Sequence, residues 1–247
     1  MTELLKPGDP FLVGMLVFPG ITPLDMTGPH EFLSKVPGVE VRLYWKNLNP
    51  VTGASGLQLN PTHTFLDQSP IDLLCVPGGP GQIELMADDE VLGFLCRAAA
   101  TARYVTSVCT GSLLLGAAGL LQGYKATTHW MAMDCLNDLG AIPVHERIVC
   151  DRNRITGGGV TAGIDFALTV IAQLWGEPIA RAVQLALEYD PQPPFTAGSP
   201  RTAFPEEVQR QQDRARPVRE RRLASCKDAA ARLDGSPSLL GVAGVDA

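Results

Sequence analysis

Apolar and polar positions alternate along the chain with two different periods. Residues 11–18 run without a polar side chain, the mark of a parallel strand buried on both faces. Residues 39–45 alternate and predict a strand near a sheet edge, and 51–66, broken by Gly53, Gly56 and Pro61, predict short strands or a hairpin. Further buried strands are predicted over 71–76 and 104–108, then one over 145–150 that turns through Asp151–Arg154 into Ile155–Thr156. Between them lie helical patterns over 27–35, 88–102, 110–118 and 131–139. A long apolar helix opens at the glycine-rich turn 157–163 and runs to Trp175, and another covers 177–189 with Pro178 in its first turn. Strand and helix alternate throughout, which predicts an α/β fold with a doubly wound, mostly parallel sheet.

Composition fits this picture and adds a boundary. The chain has 247 residues, 45% hydrophobic and 19% charged, enough for one large α/β domain with an appendage. The sequence Pro191-Gln192-Pro193-Pro194 divides a domain over 1–190 from an extension over 191–247. Residues 1–200 carry eleven Lys/Arg against nineteen Asp/Glu, whereas 201–247 carry nine against seven. The stretch 204–232 predicts an exposed helix, its dense mixed charge a solvated face or partner-binding arm, and the last dozen residues predict disorder. A net charge of −6 argues against a nucleic-acid partner. No apolar run reaches membrane-spanning length, and residues 1–10 lack a signal-peptide pattern. The six cysteines form no C-x-x-C pair, against a zinc site or disulfide framework and in keeping with a reducing cytoplasm.

The chemistry concentrates where strand meets helix. Only Cys109 separates the strand at 104–108 from the helix at 110–118, so it must turn the chain at a nucleophile elbow. A helix N-terminus there favours the thiolate, and Gly111 and Ser112 allow close backbone approach; a buried structural cysteine is the competing reading. Asp25 follows the first strand, where α/β sheets place ligands, or else caps the next helix. The turn Pro77-Gly78-Gly79-Pro80-Gly81 can aim the N–H groups of Gly78 and Gly79 into a site as oxyanion donors, or can simply be a tight connection. The turn around Gly158 either lines the pocket or packs helix on sheet. Cys75, Cys96, Cys135 and Cys150 fall in apolar patterns that predict core positions, and Cys226 falls in the tail.

Four stretches together resemble the ThiJ/PfpI superfamily, relatives of class I glutamine amidotransferases. They are Phe18-Pro19-Gly20 with Leu24-Asp25, Val76-Pro77-Gly78-Gly79, Val108-Cys109-Thr110-Gly111, and Ala126-Thr127-Thr128-His129-Trp130. The likeness covers about residues 10–190 and implies a flavodoxin-like, three-layer fold. An aspartate after the first strand and a Cys-Thr-Gly elbow are similar to the isonitrile hydratase branch, whereas the protease-like branch has His where Thr110 stands. The resemblance implies a small-molecule isonitrile substrate, a Cys109 thioimidate intermediate and Asp25 as general acid and base. It further implies that Thr110 orients Asp25 or caps the helix, that His129 is a candidate partner of the cysteine, that no metal or organic cofactor is needed, and that the protein is a homodimer. Other cysteine hydrolases or glyoxalase-type enzymes on the scaffold remain alternatives. So do the amidase-like sensor domains of AraC-type regulators, which continue into a helix-turn-helix domain for which the residues after Asp190 carry no apolar pattern.

Overall fold

A computed structural model describes residues 4–235; the last dozen residues, where the sequence predicts disorder, lie outside the described residues. Strands β1 (Phe11–Leu16), β2 (Val39–Trp45), β3 (Val51–Thr52), β4 (Gln58–Leu59), β5 (His63–Thr64), β6 (Leu73–Val76) and β7 (Tyr104–Val108) precede β8 (Lys125–Ala126), β9 (Ile142–Pro143), β10 (Ile148–Asp151) and β11 (Arg154–Gly157). Helices are α1 (Pro23–Leu33), α2 (Gln82–Leu85), α3 (Asp89–Thr101), α4 (Gly111–Ala117), α5 (Met133–Asp138), α6 (Ala162–Trp175), α7 (Glu177–Ala186) and α8 (Pro205–Gly235).

Seven strands form one sheet in the order β10-β11-β7-β6-β1-β2-β5, parallel except for β10. The apolar runs lie in its centre, where β1, β6 and β7 bury almost every side chain between two helical layers. Helices α1, α6 and α7 pack together on one face, and α3 and α4 lie against the other, where α2, α5 and α8 join them. The predicted three-layer α/β fold is the observed one. The hairpin expected over 51–66 is the small antiparallel pair β3–β4, and the main sheet recruits β5 from the same stretch. Asp88 caps α3 as its acidic start predicts, its Oδ1 accepting the N–H groups of Glu90 and Val91.

Several expectations need correction. Helix α1 starts at Pro23, not at residue 27, because proline's fixed φ and missing N–H suit the first turn. Asp25 is therefore inside that turn and caps nothing; Thr22 holds the cap position. The tail helix forms, but it is not simply solvated. It lays one face on α2, α4 and α5 and buries Cys226 and Ala229. Two buried residues in 31 leave no apolar stripe for periodicity to reveal. Cys226 thus lies in the core, whereas Cys150, on edge strand β10, is exposed and Cys96 is half-buried. Among the described residues no helix is long and apolar enough to cross a membrane.

Candidate active site

The carboxyl ends of β1, β6, β7 and β11 meet around Cys109. This residue adopts φ 56°, a left-handed conformation that costs a non-glycine residue about 1–2 kcal/mol. Its backbone is held on both sides. The N–H is shared between the carbonyl oxygens of Gly157 (3.0 Å) and Gly158 (2.8 Å), and the carbonyl accepts from Thr128 Oγ1 (2.9 Å) and Ser112 Oγ (3.2 Å). Gly111 is required by the turn itself, because a Cβ there would run into the Val76 carbonyl oxygen.

Asp25 reaches the same point from α1 and is fully buried. Its Oδ2 accepts the Gly78 N–H at 3.0 Å, while Oδ1 is buried without a hydrogen-bond partner. The Cys109 thiol lies against this carboxyl, close enough to favour its anion. Burial nevertheless raises Asp25 to about 7, the thiol and the Gly78 N–H opposing the shift. Burial also pushes the Cys109 thiol well above its ordinary value, with the Asp25 charge adding to the effect. The N–H groups of Thr110 and Val160 pull the thiol the other way. The helix end therefore contributes as the sequence suggests, but in this dry site it does not by itself produce a thiolate.

Thr110 takes neither expected role. Its side chain makes no capping bond and no hydrogen bond to Asp25; instead Oγ1 accepts the Gly79 N–H at 3.0 Å. The two N–H groups expected to face developing negative charge are thus occupied, Gly78 by Asp25 and Gly79 by Thr110. The glycine turn does aim its donors into the site, but two neighbouring side chains fill the space it opens. A Cβ on Gly78 would come within 2.5 Å of Thr110 N and 2.9 Å of Asp25 Oδ2, so the loop, the elbow and α1 are in contact at one point.

His129 is not part of this group. It caps the 3-10 turn Trp130–Ala132, its Nδ1 accepting the Met131 N–H at 3.3 Å, and it makes no hydrogen bond to Cys109. Burial, with a smaller effect from Arg222, lowers it to about 4 and keeps it neutral. It borders a cleft of about 380 Å³ shared with Trp130, Met133, Gly158, Val160 and residues 198–201. Gly158 is adjacent to the site through its carbonyl, and its own N–H donates to Arg147 O at 2.8 Å. Sequence reasoning missed Val160, whose N–H reaches the thiol, and Thr128, which fixes the elbow; their only signals were the glycine-rich turn and the Thr-Thr-His-Trp stretch. Among the described residues no group of three His, Cys, Asp or Glu side chains is arranged to hold a metal ion.

Known proteins are similar to this chain to different extents. A Pseudomonas putida protein named isonitrile hydratase is 54% identical over 222 residues, 90% of this chain and 97% of that protein. The crystal structure of a THiJ/PfpI family protein from Pseudomonas syringae superposes with a TM-score of 0.87 at 43% identity, covering 89% of this chain and 92% of that one. The HTH-type transcriptional regulator GbdR of Pseudomonas aeruginosa is 29% identical over 192 residues, which is 74% of this chain but 52% of the regulator. The model of the DJ-1/PfpI family matches residues 12–173, spanning β1, the Gly78 turn, the Cys109 elbow and most of α6. The chain belongs to the DJ-1/PfpI family.

Proposed function

We propose that this protein hydrates isonitriles, R–N≡C, to N-substituted formamides, with Cys109 as nucleophile and Asp25 as acid and base. The observation that carries the reading is the dry Cys109–Asp25 pair, in which the sulfur meets a carboxyl that titrates near neutrality and no histidine. The name of the Pseudomonas putida relative supports the substrate class.

Above about pH 7 the pair holds one proton, and it resides on sulfur because Asp25 is the stronger acid. The terminal isonitrile carbon is electrophilic towards a soft nucleophile. As the sulfur attacks it, the Asp25 carboxylate takes the thiol proton and delivers it to that same carbon, giving the thioimidate R–N=CH–S–Cys109. Asp25, again a carboxylate, then removes a proton from the water that attacks the thioimidate carbon. Collapse of the adduct breaks the C–S bond, places a proton on nitrogen and releases R–NH–CHO with the cysteine restored. Val160 and Thr110 N–H groups support negative charge on sulfur between these steps. Thr110, tied to the Gly79 N–H, holds the glycine turn that in turn holds Asp25. The R group extends into the cleft beside Trp130 and Met133. The family resemblance favours a homodimer, to be checked by sedimentation, and six unpaired cysteines suit a reducing cytoplasm.

The test is formamide production from cyclohexyl isocyanide. Wild type is expected to turn over, Cys109→Ala to be inactive, and Asp25→Asn to lose at least about 10³-fold in kcat, since one residue acts as base, then acid, then base again. A folded wild type inactive on several isonitriles overturns the reading and moves attention to a regulatory role, the Pseudomonas aeruginosa relative being named a transcriptional regulator.

A further inference from the structure

The cleft beside the Cys109 elbow has a second cavity behind one of its walls. Its inner end is made of residues that touch the elbow: Thr128 Oγ1 donates to the Cys109 carbonyl at 2.9 Å, and the Gly158 carbonyl accepts the Cys109 N–H at 2.8 Å. Further out, Trp130, Met133 and residues 198–201 border it. A cavity of about 440 Å³ lies beyond, between Trp130, residues 197–200 and the start of α8, where Val208 and Gln211 line it. Trp130, Gly198, Ser199 and Pro200 are the lining residues common to both spaces, so they form the partition between them.

The partition is held from both sides. Trp130 opens the 3-10 turn that His129 caps, and that turn packs against α8. Opposite it, the Ser199 carbonyl accepts the N–H groups of Thr202 (3.0 Å) and Ala203 (2.9 Å), and Ser199 Oγ meets Thr202 Oγ1 at 3.1 Å. Arg201 Nη1 ties this turn to the domain by donating to the His145 carbonyl at 3.3 Å. The segment after Pro194 thus supplies part of the cleft wall, although it lies outside residues 12–173, which the family shares. The reacting groups come from the shared part and one wall from this chain's own extension. Met133 and Val160 make the near side apolar, whereas Glu207, Arg210 and Gln211 make the far cavity polar. A hydrocarbon group is therefore accommodated on the near side and gains little by crossing the wall.

We propose that Trp130, with the turn Gly198-Ser199-Pro200, sets the length of the group that can extend from the reacting carbon on Cys109, so that the wild type prefers compact R groups to long chains. The substrate class in this statement rests on the proposed isonitrile hydration. In a closely fitting pocket one methylene changes kcat/KM by about 10–200-fold, so a rigid indole at the end of the cleft is enough to impose a cut-off. Gly198 gives a second handle on the same wall. A Cβ there meets no atom within 4 Å, and its backbone is outside the left-handed region, so a larger side chain can be added without strain.

The full chain, Trp130→Ala and Gly198→Leu are assayed on cyclohexyl isocyanide and on n-hexyl, n-octyl and n-decyl isocyanides. In the wild type kcat/KM should fall along the linear series. Trp130→Ala should raise the n-decyl value relative to cyclohexyl by about tenfold or more, and Gly198→Leu should move the fall to shorter chains. The same chain lengths are then presented as N-alkyl iodoacetamides, and alkylation of Cys109 is followed by the mass of the tryptic peptide 104–125. That rate should show the same fall and the same relief in Trp130→Ala, whether or not isonitriles are hydrated. A wild type that alkylates normally by this ladder but hydrates no isonitrile removes the hydration reading and leaves the wall standing. The proposal is overturned if the wild-type alkylation rate is indifferent to chain length, or if a folded Trp130→Ala keeps the wild-type dependence. Should Trp130→Ala fail to fold, Gly198→Leu decides, and an unchanged cut-off there overturns it equally.

Discussion

The Cys109 end of the sheet and the α8 face are both assembled from distant parts of the chain, but different forces hold them. Around Cys109 the partners are backbone groups: Gly78 N–H on Asp25, Gly79 N–H on Thr110, and the Gly157 and Gly158 carbonyls on the cysteine itself. Under α8 the partners are mostly long side chains, with Arg219 and Arg221 reaching Asp134 and Glu84 across exposed surface. Backbone contacts fix atoms with little conformational freedom left to lose, whereas paired arginines give up rotamer entropy for a screened attraction. The first arrangement suits chemistry that needs a proton carried between two defined atoms. The second suits an element that can lift and return.

This contrast can be tested by loosening each region. The largest effect is expected from Gly78→Ala, whose Cβ would press on Thr110 N and Asp25 Oδ2. A displacement of that order should cost about 10²-fold in kcat with a smaller change in KM, measured on cyclohexyl isocyanide. Next comes pH. Below about 7 Asp25 gains a proton and no longer accepts one from Cys109, so kcat/KM should fall about tenfold per unit of further acidification. Stability should move oppositely. The folded-state value of Asp25 lies above its unfolded one, so the native state binds the extra proton between about pH 4 and 7. Unfolding free energy should therefore rise by about 1.4 kcal/mol per unit on going from pH 7 towards 4, as far as this group is concerned. Denaturant titrations of Asp25→Asn should lack that component; the same slope in both proteins would assign it to other groups.

Smaller effects probe the periphery. His129→Gln should retain activity within about tenfold, since a general base normally contributes at least ten times more; a loss above 10²-fold would return the histidine to the mechanism. Arg219→Ala should cost below about 1 kcal/mol and lower Tm by a few degrees at most. A cooperative collapse of the whole domain in that variant would show that α8 is held as firmly as the site.

Much of the site was legible in the sequence because its logic is steric. An uninterrupted apolar run of that length reads as a central strand, as β1 is, and so short a link between strand and helix reads as an elbow; the helix starts at Gly111 and not at residue 110, so Cys109 and Thr110 together make the turn. Glycines at 78, 79 and 111 mark backbones that approach closely, and they do. What could not be read was which acceptor each donor finds. The Gly78 and Gly79 N–H groups are taken by Asp25 and Thr110, a pairing that depends on side chains 53 and 31 residues away. The docking of α8 was equally invisible, because it buries only Cys226 and Ala229 and is otherwise charged and polar along its length.

The two edges of the main sheet are short. One is β5, two residues long, and the other is β10, four residues long and antiparallel to its neighbour. Neither offers a long, flat row of unpaired N–H and C=O groups to a second molecule. Helix α8 covers other helices, so its release uncovers side chains and not strand backbone. A crowded cell should therefore tolerate displacement of this helix without seeding fibrous self-association through bare strand edges.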